Sequence, residues 1–183
     1  MIAKHIFILG GYGNTGFPVA ELLLSQTDVA ITLAGRSLEK ATQAAARLNA
    51  AYAGNRVRGA RVDAADTHSL RQAFDGMDMV IVASSTAGYV ENVARAALET
   101  GTDYLDVQYS TAKVCVLQSL ADEIKRANRC FITDGGFHPG LPAAMVRFAA
   151  EQFDQLESAN IGSVIKIDWG RLDFSLATMQ EFV

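Results

Sequence analysis

The sequence predicts one large α/β domain, built on a doubly wound, mostly parallel sheet with the strand order 3-2-1-4-5-6. Short apolar runs alternate with longer amphipathic stretches, which is the pattern of successive βα units. A glycine-rich turn joins the first run to the first amphipathic stretch. The 183 residues are 50% hydrophobic and 20% charged, a composition typical of globular proteins.

Six apolar runs are the predicted strands, and each is followed by a predicted helix. The strands are 4–10, 29–35, 56–63, 77–83, 104–107 and 130–134, and the helices are 15–26, 38–51, 66–74, 87–99, 111–127 and 141–153. Ser37 and Asp66 are suited to cap the second and third helices. The first and fourth runs are continuously apolar, as expected for central strands covered on both faces. Three arginines (Arg56, Arg58 and Arg61) make the third run polar, which favours a solvated edge strand over a basic binding patch.

Composition and charge exclude several classes of protein. The net charge is −4 with both signs interspersed, so we do not expect a nucleic-acid partner. No apolar run approaches the roughly 18 residues of a membrane-spanning helix, and the start of the chain does not resemble an export signal, so a cytoplasmic location is expected. Cys115 and Cys130 lack metal-site spacing, and we expect buried, reduced thiols and no metal.

The pattern changes after residue 154. We expect residues 1–154 to form the nucleotide-binding domain and 155–183 to be a tail, the start of a second, substrate-binding domain. Residues 163–169 alternate like an extra strand. An unpaired strand edge there would favour a homodimer.

The most informative motif is the turn Gly10-Gly11-Tyr12-Gly13-Asn14-Thr15-Gly16, which contains GxGxxG at Gly11, Gly13 and Gly16. It follows a predicted strand and opens a predicted helix. In that context the three glycines permit a tight turn, close approach of a pyrophosphate, and close packing of helix on strand. We therefore expect a Rossmann fold that binds a dinucleotide through Gly11, Tyr12, Gly13, Asn14, Thr15 and Gly16.

The end of the second strand favours NADP over NAD. An acidic residue that would bind the ribose hydroxyls of NAD is expected about 20 residues past the glycines, but Arg36 and Ser37 stand there. Arg36 would bind a 2′-phosphate, with Ser37 adding donors. The missing acid also argues against S-adenosylmethionine. A merely solvated Arg36 is the alternative.

Two more strand ends face the same crevice. Asp63 and Ala64 should lie beside the adenine, unless Asp63 only forms a turn. Ala83 and Ser84 should line the nicotinamide ribose, although hydroxyls there would equally cap the next helix.

Four stretches together resemble the NADP-binding domain of saccharopine dehydrogenase-like proteins. They are residues 8–16, 34–37, 97–107 with Tyr104-Leu105-Asp106, and 135–142. The resemblance implies an NADP-dependent oxidoreductase acting on a small, amino-acid-like imine or carbonyl substrate, with a substrate domain after the Rossmann domain.

Two other functions compete with this interpretation. A non-catalytic NADP sensor would use the same fold. Tyr109 and Lys113 fit YxxxK, the acid–base pair of short-chain dehydrogenases, but no serine stands near position 96. His138 is a candidate for contact with nicotinamide or substrate, or for holding its loop by hydrogen bonds. We assign no catalytic residue.

Overall fold

The computed structural model describes residues 4–138, 140–164 and 166. Its six strands form one parallel sheet in the order β3-β2-β1-β4-β5-β6. The strands are β1 (His5–Leu9), β2 (Ala30–Gly35), β3 (Val57–Arg61), β4 (Met79–Val82), β5 (Asp103–Asp106) and β6 (Phe131–Ile132). The predicted fold class and strand order are confirmed.

One or two helices follow each strand, as predicted. They are α1 (Gly16–Gln26), α2 (Leu38–Ala51), α3 (Thr67–Phe74), α4 (Val90–Thr100, after a 3-10 turn at Ala87–Tyr89), α5 (Thr111–Ser119), α6 (Ala121–Arg126) and α7 (Gly140–Ala150). The single helix predicted over 111–127 is divided at Leu120. The N–H of Leu120 bonds the carbonyl of Leu117, three residues back, and this tighter turn separates α5 from α6.

Two apolar layers cover the central strands. Ile8, Ile31 and Leu33 pack with α1 and α2 on one face of the sheet. Phe7 and Val80 pack with α3, α4 and α5 on the other. Alternate residues of β1 and β4 enter opposite layers, which explains why their sequences are continuously apolar.

The third strand lies at an edge, as predicted, but its arginines are not only solvated. The Arg56 guanidinium donates to the carbonyls of Leu24 at 2.9 Å and Thr27 at 2.6 Å, at the C-terminal end of α1. The Nε of Arg58 donates to the Thr32 hydroxyl at 2.8 Å. Arg56 thus satisfies acceptors that the end of α1 leaves open, and Arg58 connects β3 to β2.

The prediction of buried cysteines is wrong, although both thiols are free. Cys115 and Cys130 are both exposed. Helix α5 buries Lys113 and Leu117, and Cys115, two residues from each, projects from the opposite face. Cys130 directly precedes β6, the edge strand of the sheet.

The predicted strand over 163–169 falls mostly outside the described residues. Ser163, Val164 and Lys166 belong to no regular element, and positions 165 and 167–169 are not described. The extra strand and the homodimer that depended on it therefore stay predictions. In the part of the chain that the structure describes, no helix combines the length and apolarity needed to cross a bilayer.

His5 at the start of β1 makes stability depend on pH. Its Nε2 lies 2.9 Å from the Thr32 hydroxyl. Burial, and then the nearby Arg58 charge, lower the pKa of His5 below its ordinary value of 6.5, against the opposing effect of Asp78. The folded state therefore disfavours the protonated ring. The stability that His5 contributes is present above pH 6.5 and is lost as the pH falls through the lowered pKa.

We expect protonation of His5 to lower the unfolding temperature by less than about 3 °C between pH 7.5 and pH 5. The variant His5→Gln should show a smaller fall, whereas His68→Gln, at an exposed position, should behave like the wild type. Thermal unfolding followed by circular dichroism measures this. An unchanged pH dependence in His5→Gln would contradict the assignment.

Candidate functional site

The glycine turn brings three backbone segments into close contact. The N–H groups of Gly10 and Gly11 donate to the carbonyl of Ala34 at the end of β2, at 2.8 and 3.2 Å. A Cβ at Gly11 would lie 2.8 Å from the Cα of Leu33, and one at Gly16 would lie 2.8 Å from the Cα of Gly11. Neither position has room for a side chain, so these glycines are required for packing.

Gly13 differs from the other glycines of the motif. A Cβ there would approach one backbone atom among the described residues, the carbonyl oxygen of Gly10 at 3.2 Å. The protein itself therefore nearly accommodates a side chain at this position. Open space beside Gly13 is what the approach of a pyrophosphate requires.

The start of α1 suits an anion. Ser37, Asp66 and Ser110 cap the starts of α2, α3 and α5 through side-chain oxygens. Thr15 makes no such bond to any described residue, and the first turn of α1 carries no acidic side chain. Within the described part of the chain, neither a Thr15 cap nor a first-turn carboxylate therefore meets the positive end of this helix dipole, and the residues fit the pyrophosphate of a dinucleotide.

The end of β2 presents a positive charge beside that turn. Arg36 is exposed, and its guanidinium has no hydrogen-bond or ion-pair partner within the described part of the chain. Ser37 accepts the N–H of Lys40 through its hydroxyl at 3.3 Å, which confirms its predicted capping role. Tyr12 reaches across from the glycine turn, and its hydroxyl accepts the N–H of Ser37 at 3.1 Å.

Asp63 and Ala64 follow β3 at the same edge of the sheet. One carboxylate oxygen of Asp63 accepts the N–H of Ala65 at 3.0 Å, so the residue does form the turn considered as its alternative role. The side chain is nevertheless exposed. Ala64 is buried, and its carbonyl accepts from the side chain of Asn92 at 3.2 Å. Contact with adenine stays a prediction for both.

Ala83 and Ser84 follow β4, on the other side of the glycine turn. Gly10, at φ +84°, passes so close that a Cβ there would lie 2.7 Å from the Ala83 carbonyl oxygen. The Ser84 hydroxyl lies 3.2 Å from that of Thr86. Thr86 makes no side-chain capping bond to a described residue at the following 3-10 turn.

The strand order places all these groups along one edge. Asp63, Arg36, the glycine turn and Ser84 follow β3, β2, β1 and β4, which are consecutive neighbours in the sheet. The carboxyl ends of these strands form the crevice in which such folds bind their ligands. The predicted site residues therefore come together, while their contacts with a cofactor remain a prediction.

A buried ionic cluster, missed in the sequence, lies at the ends of β5 and β6. Lys113 is 2% exposed, and its ammonium bonds Asp106, the carbonyl of Gln108, and Asp134 at 2.9 Å. Asp106 is 1% exposed and also accepts the Tyr104 hydroxyl at 2.8 Å. Burial, together with the Asp106 charge, raises the pKa of Tyr104.

The YxxxK interpretation of Tyr109 and Lys113 is not supported. Ser110 is the N-cap of α5, which begins at Thr111, so Tyr109 precedes the helix and the two residues do not share a helical turn. The Lys113 ammonium already has three acceptors, and Tyr109 is 53% exposed with its hydroxyl near that of Thr111.

The loop after β6 is joined to the end of β5. Asp134 lies in the left-handed region at φ +56°, and the N–H of Gly135 donates to the Asp106 carbonyl at 2.8 Å. His138 is exposed and makes no hydrogen bond to any described residue, so both of its suggested roles stay predictions. Nor do three metal-binding side chains come together anywhere in the described residues.

Comparison with models of protein families shows which family the chain belongs to. The model for the saccharopine dehydrogenase NADP binding domain matches residues 6–131. The chain belongs to this family. Its cofactor is therefore NADP, in agreement with the arginine at the end of β2.

Solved structures support the family and the fold. Saccharopine dehydrogenase (L-Glu forming) from Saccharomyces cerevisiae is 26% identical, with a TM-score of 0.68 over 81% of this chain and 31% of that enzyme. The family member described here thus spans about a third of the yeast enzyme's length.

Two solved structures with lower sequence identity share the fold. One is a short-chain dehydrogenase/reductase from Veillonella parvula in complex with NADP, at 19% identity and a TM-score of 0.52, covering 72% of this chain and 68% of that one. Another is the Citrobacter sp. triphenylmethane reductase complexed with NADP(H), at 20% identity and a TM-score of 0.53, covering 70% and 48%.

Proposed function

We propose that residues 1–154 form the cofactor domain of an oxidoreductase that transfers hydride between NADP(H) and an amino-acid-like imine or carbonyl substrate. Residues 155–183 would begin the substrate domain. One observation carries the proposal: the start of α1, where Thr15 makes no capping bond, and the Arg36 guanidinium, which has no partner among the described residues, lie at the ends of adjacent strands. A pyrophosphate and a 2′-phosphate are the anions that this pair of sites would accept.

The predicted residues then divide the binding of the cofactor among them. Gly13, Asn14 and Thr15 would hold the pyrophosphate at the helix start, and Arg36 with Ser37 would bind the 2′-phosphate. Asp63 and Ala64 would border the adenine, and Ala83 and Ser84 the nicotinamide ribose. The nicotinamide supplies the hydride chemistry when bound, and the chain binds and orients it.

Arg36→Ala tests the proposed phosphate site. We expect it to weaken NADPH binding about 10- to 100-fold, because a charge-assisted pair with the phosphate is lost. NADH lacks that phosphate, so its affinity should change less than about twofold. Dissociation constants from calorimetric titration measure both effects.

A matched control is Arg126→Ala, which removes an exposed arginine from α6. It should leave both affinities unchanged. Equal losses of NADPH and NADH affinity in Arg36→Ala would refute the phosphate assignment.

The proposed reaction is tested separately, by mixing NADPH with an amino acid and an oxo acid and following the absorbance of the reduced nicotinamide. Consumption of NADPH that requires both compounds supports reduction of an imine. The assay uses the full-length gene product. If that protein binds NADPH but does not turn over imines or carbonyl compounds, it is instead the non-catalytic sensor.

A further inference from the structure

Tyr12 contacts the backbone on both sides of Arg36. A Cβ at Gly35 would lie 2.6 Å from the Tyr12 hydroxyl oxygen and 2.8 Å from the ring, so the tyrosine packs directly on that glycine. The same hydroxyl accepts the N–H of Ser37 at 3.1 Å. Gly35 and Ser37 are the two chain neighbours of Arg36, and one side chain from the glycine turn therefore brackets it.

Two backbone carbonyls that precede Arg36 are also bonded. The carbonyl of Ala34 accepts from the glycine turn, and that of Gly35 accepts the N–H of Val62 at 3.0 Å. The guanidinium itself has no partner among the described residues. The backbone around Arg36 is therefore held before a ligand binds, and only the exposed side chain has to be ordered on binding.

The surroundings of Tyr12 carry positive charge. Tyr12 lines a groove of about 490 Å³ between α1 and α2, together with Lys40 and Arg47, and no carboxylate is among its described lining residues. The Arg47 guanidinium lies 4.7 Å from the centre of the Phe17 ring. The potential beside Tyr12 therefore favours a phosphate over an uncharged ribose hydroxyl.

We propose that Tyr12 is a positioning residue that gives the site its preference for NADP by holding Arg36 in place for the 2′-phosphate. This inference rests on the proposed function, since it requires Arg36 to bind that phosphate. Tyr12 acts through its hydrogen bond with the Ser37 N–H and its contact with Gly35. It thereby connects the glycine turn to the backbone on both sides of Arg36. One side chain thus links the glycine turn to the proposed 2′-phosphate site.

A double-mutant cycle tests the proposal. NADPH and NADH affinities are measured for the wild type, Tyr12→Phe, Arg36→Ala and the double variant. Tyr12→Phe keeps the ring on Gly35 and removes only the hydroxyl. We expect NADPH binding to weaken about fivefold, the value of one neutral hydrogen bond, with NADH changing less than about twofold.

In the Arg36→Ala background, Tyr12→Phe should weaken NADPH binding by less than about twofold, because its effect passes through the arginine. A full fivefold loss in that background would overturn positioning and indicate direct contact of the hydroxyl with the cofactor. Equal losses of NADPH and NADH in Tyr12→Phe would also overturn it. Tyr52→Phe, a half-buried tyrosine after the far end of α2, is the control and should change neither affinity.

The cycle separates the two proposals. If Arg36→Ala weakens the binding of NADPH and of NADH equally, the phosphate site of the proposed function is wrong. If Arg36→Ala weakens NADPH binding selectively and Tyr12→Phe does not, only the role of Tyr12 is wrong.

Discussion

Lys113→Met is expected to destabilise the domain by about 3–5 kcal/mol, because it leaves buried carboxylates without their cation. Asp106 is 1% exposed and Asp134 20% exposed, and the ammonium is the ion-pair partner of both. The ammonium also bonds the Gln108 carbonyl, so methionine leaves that acceptor open as well. Urea unfolding followed by far-ultraviolet circular dichroism measures the loss.

Two further variants make this experiment specific. Lys125→Met removes an exposed lysine from α6 and should change stability by less than about 0.5 kcal/mol. Adding Asp106→Asn to Lys113→Met should restore part of the stability, because the amide still accepts hydrogen bonds but carries no charge. A loss in Lys113→Met no greater than that in Lys125→Met would show that the cluster does not stabilise the fold.

Gly13→Ala is expected to weaken NADPH binding by about 100-fold while leaving the fold nearly intact. A Cβ at Gly13 meets one described atom at 3.2 Å, which a small backbone adjustment relieves. The methyl group would instead occupy the space through which the pyrophosphate approaches the backbone. The expected loss corresponds to about 2.7 kcal/mol of binding free energy and should apply equally to NADPH and NADH.

Comparison with Gly16→Ala shows whether the effect comes from the ligand or from folding. At Gly16 a Cβ would lie 2.8 Å from the Gly11 Cα and closer still to the Gly10 carbonyl oxygen, so this variant should lose stability as well as binding. Gly162→Ala, where no described atom lies within 4 Å of the added Cβ, should lose neither. Unchanged cofactor affinity in Gly13→Ala would place the pyrophosphate elsewhere.

The parts of the site that follow from local chemistry were predictable. The spacing of Gly11, Gly13 and Gly16 after an apolar run indicates a strand–turn–helix unit, and the structure has that unit at those residues. The distance from the turn to Arg36 locates the end of the second strand. Both signals are short-range, so one sequence contains them completely.

The ionic cluster was not predictable in the same way, because it depends on strand register. Leu105 pairs with Ile132, and this register places Asp106 beside Thr133, whose hydroxyl it accepts at 3.0 Å. The lysine comes from a third element, α5. The sequence shows a lysine between apolar residues, but its spacing does not indicate which two aspartates form ion pairs with it.

The contact of Tyr12 with Gly35 and Ser37 was missed for a related reason. The motif places Tyr12 in the turn, but it does not indicate that the side chain also contacts Gly35 and Ser37 at the end of the neighbouring strand. The cysteines were assigned to the interior from the apolar residues around them. Helix and edge-strand geometry instead turns both towards the surface.

The most direct test of the central claim is titration of the wild-type chain with NADPH and with NADH, each followed by heat or fluorescence. The glycine turn and Arg36 predict saturable binding of NADPH at one site, at least about tenfold tighter than NADH. Equal affinity for both cofactors, or binding of neither, would contradict the account.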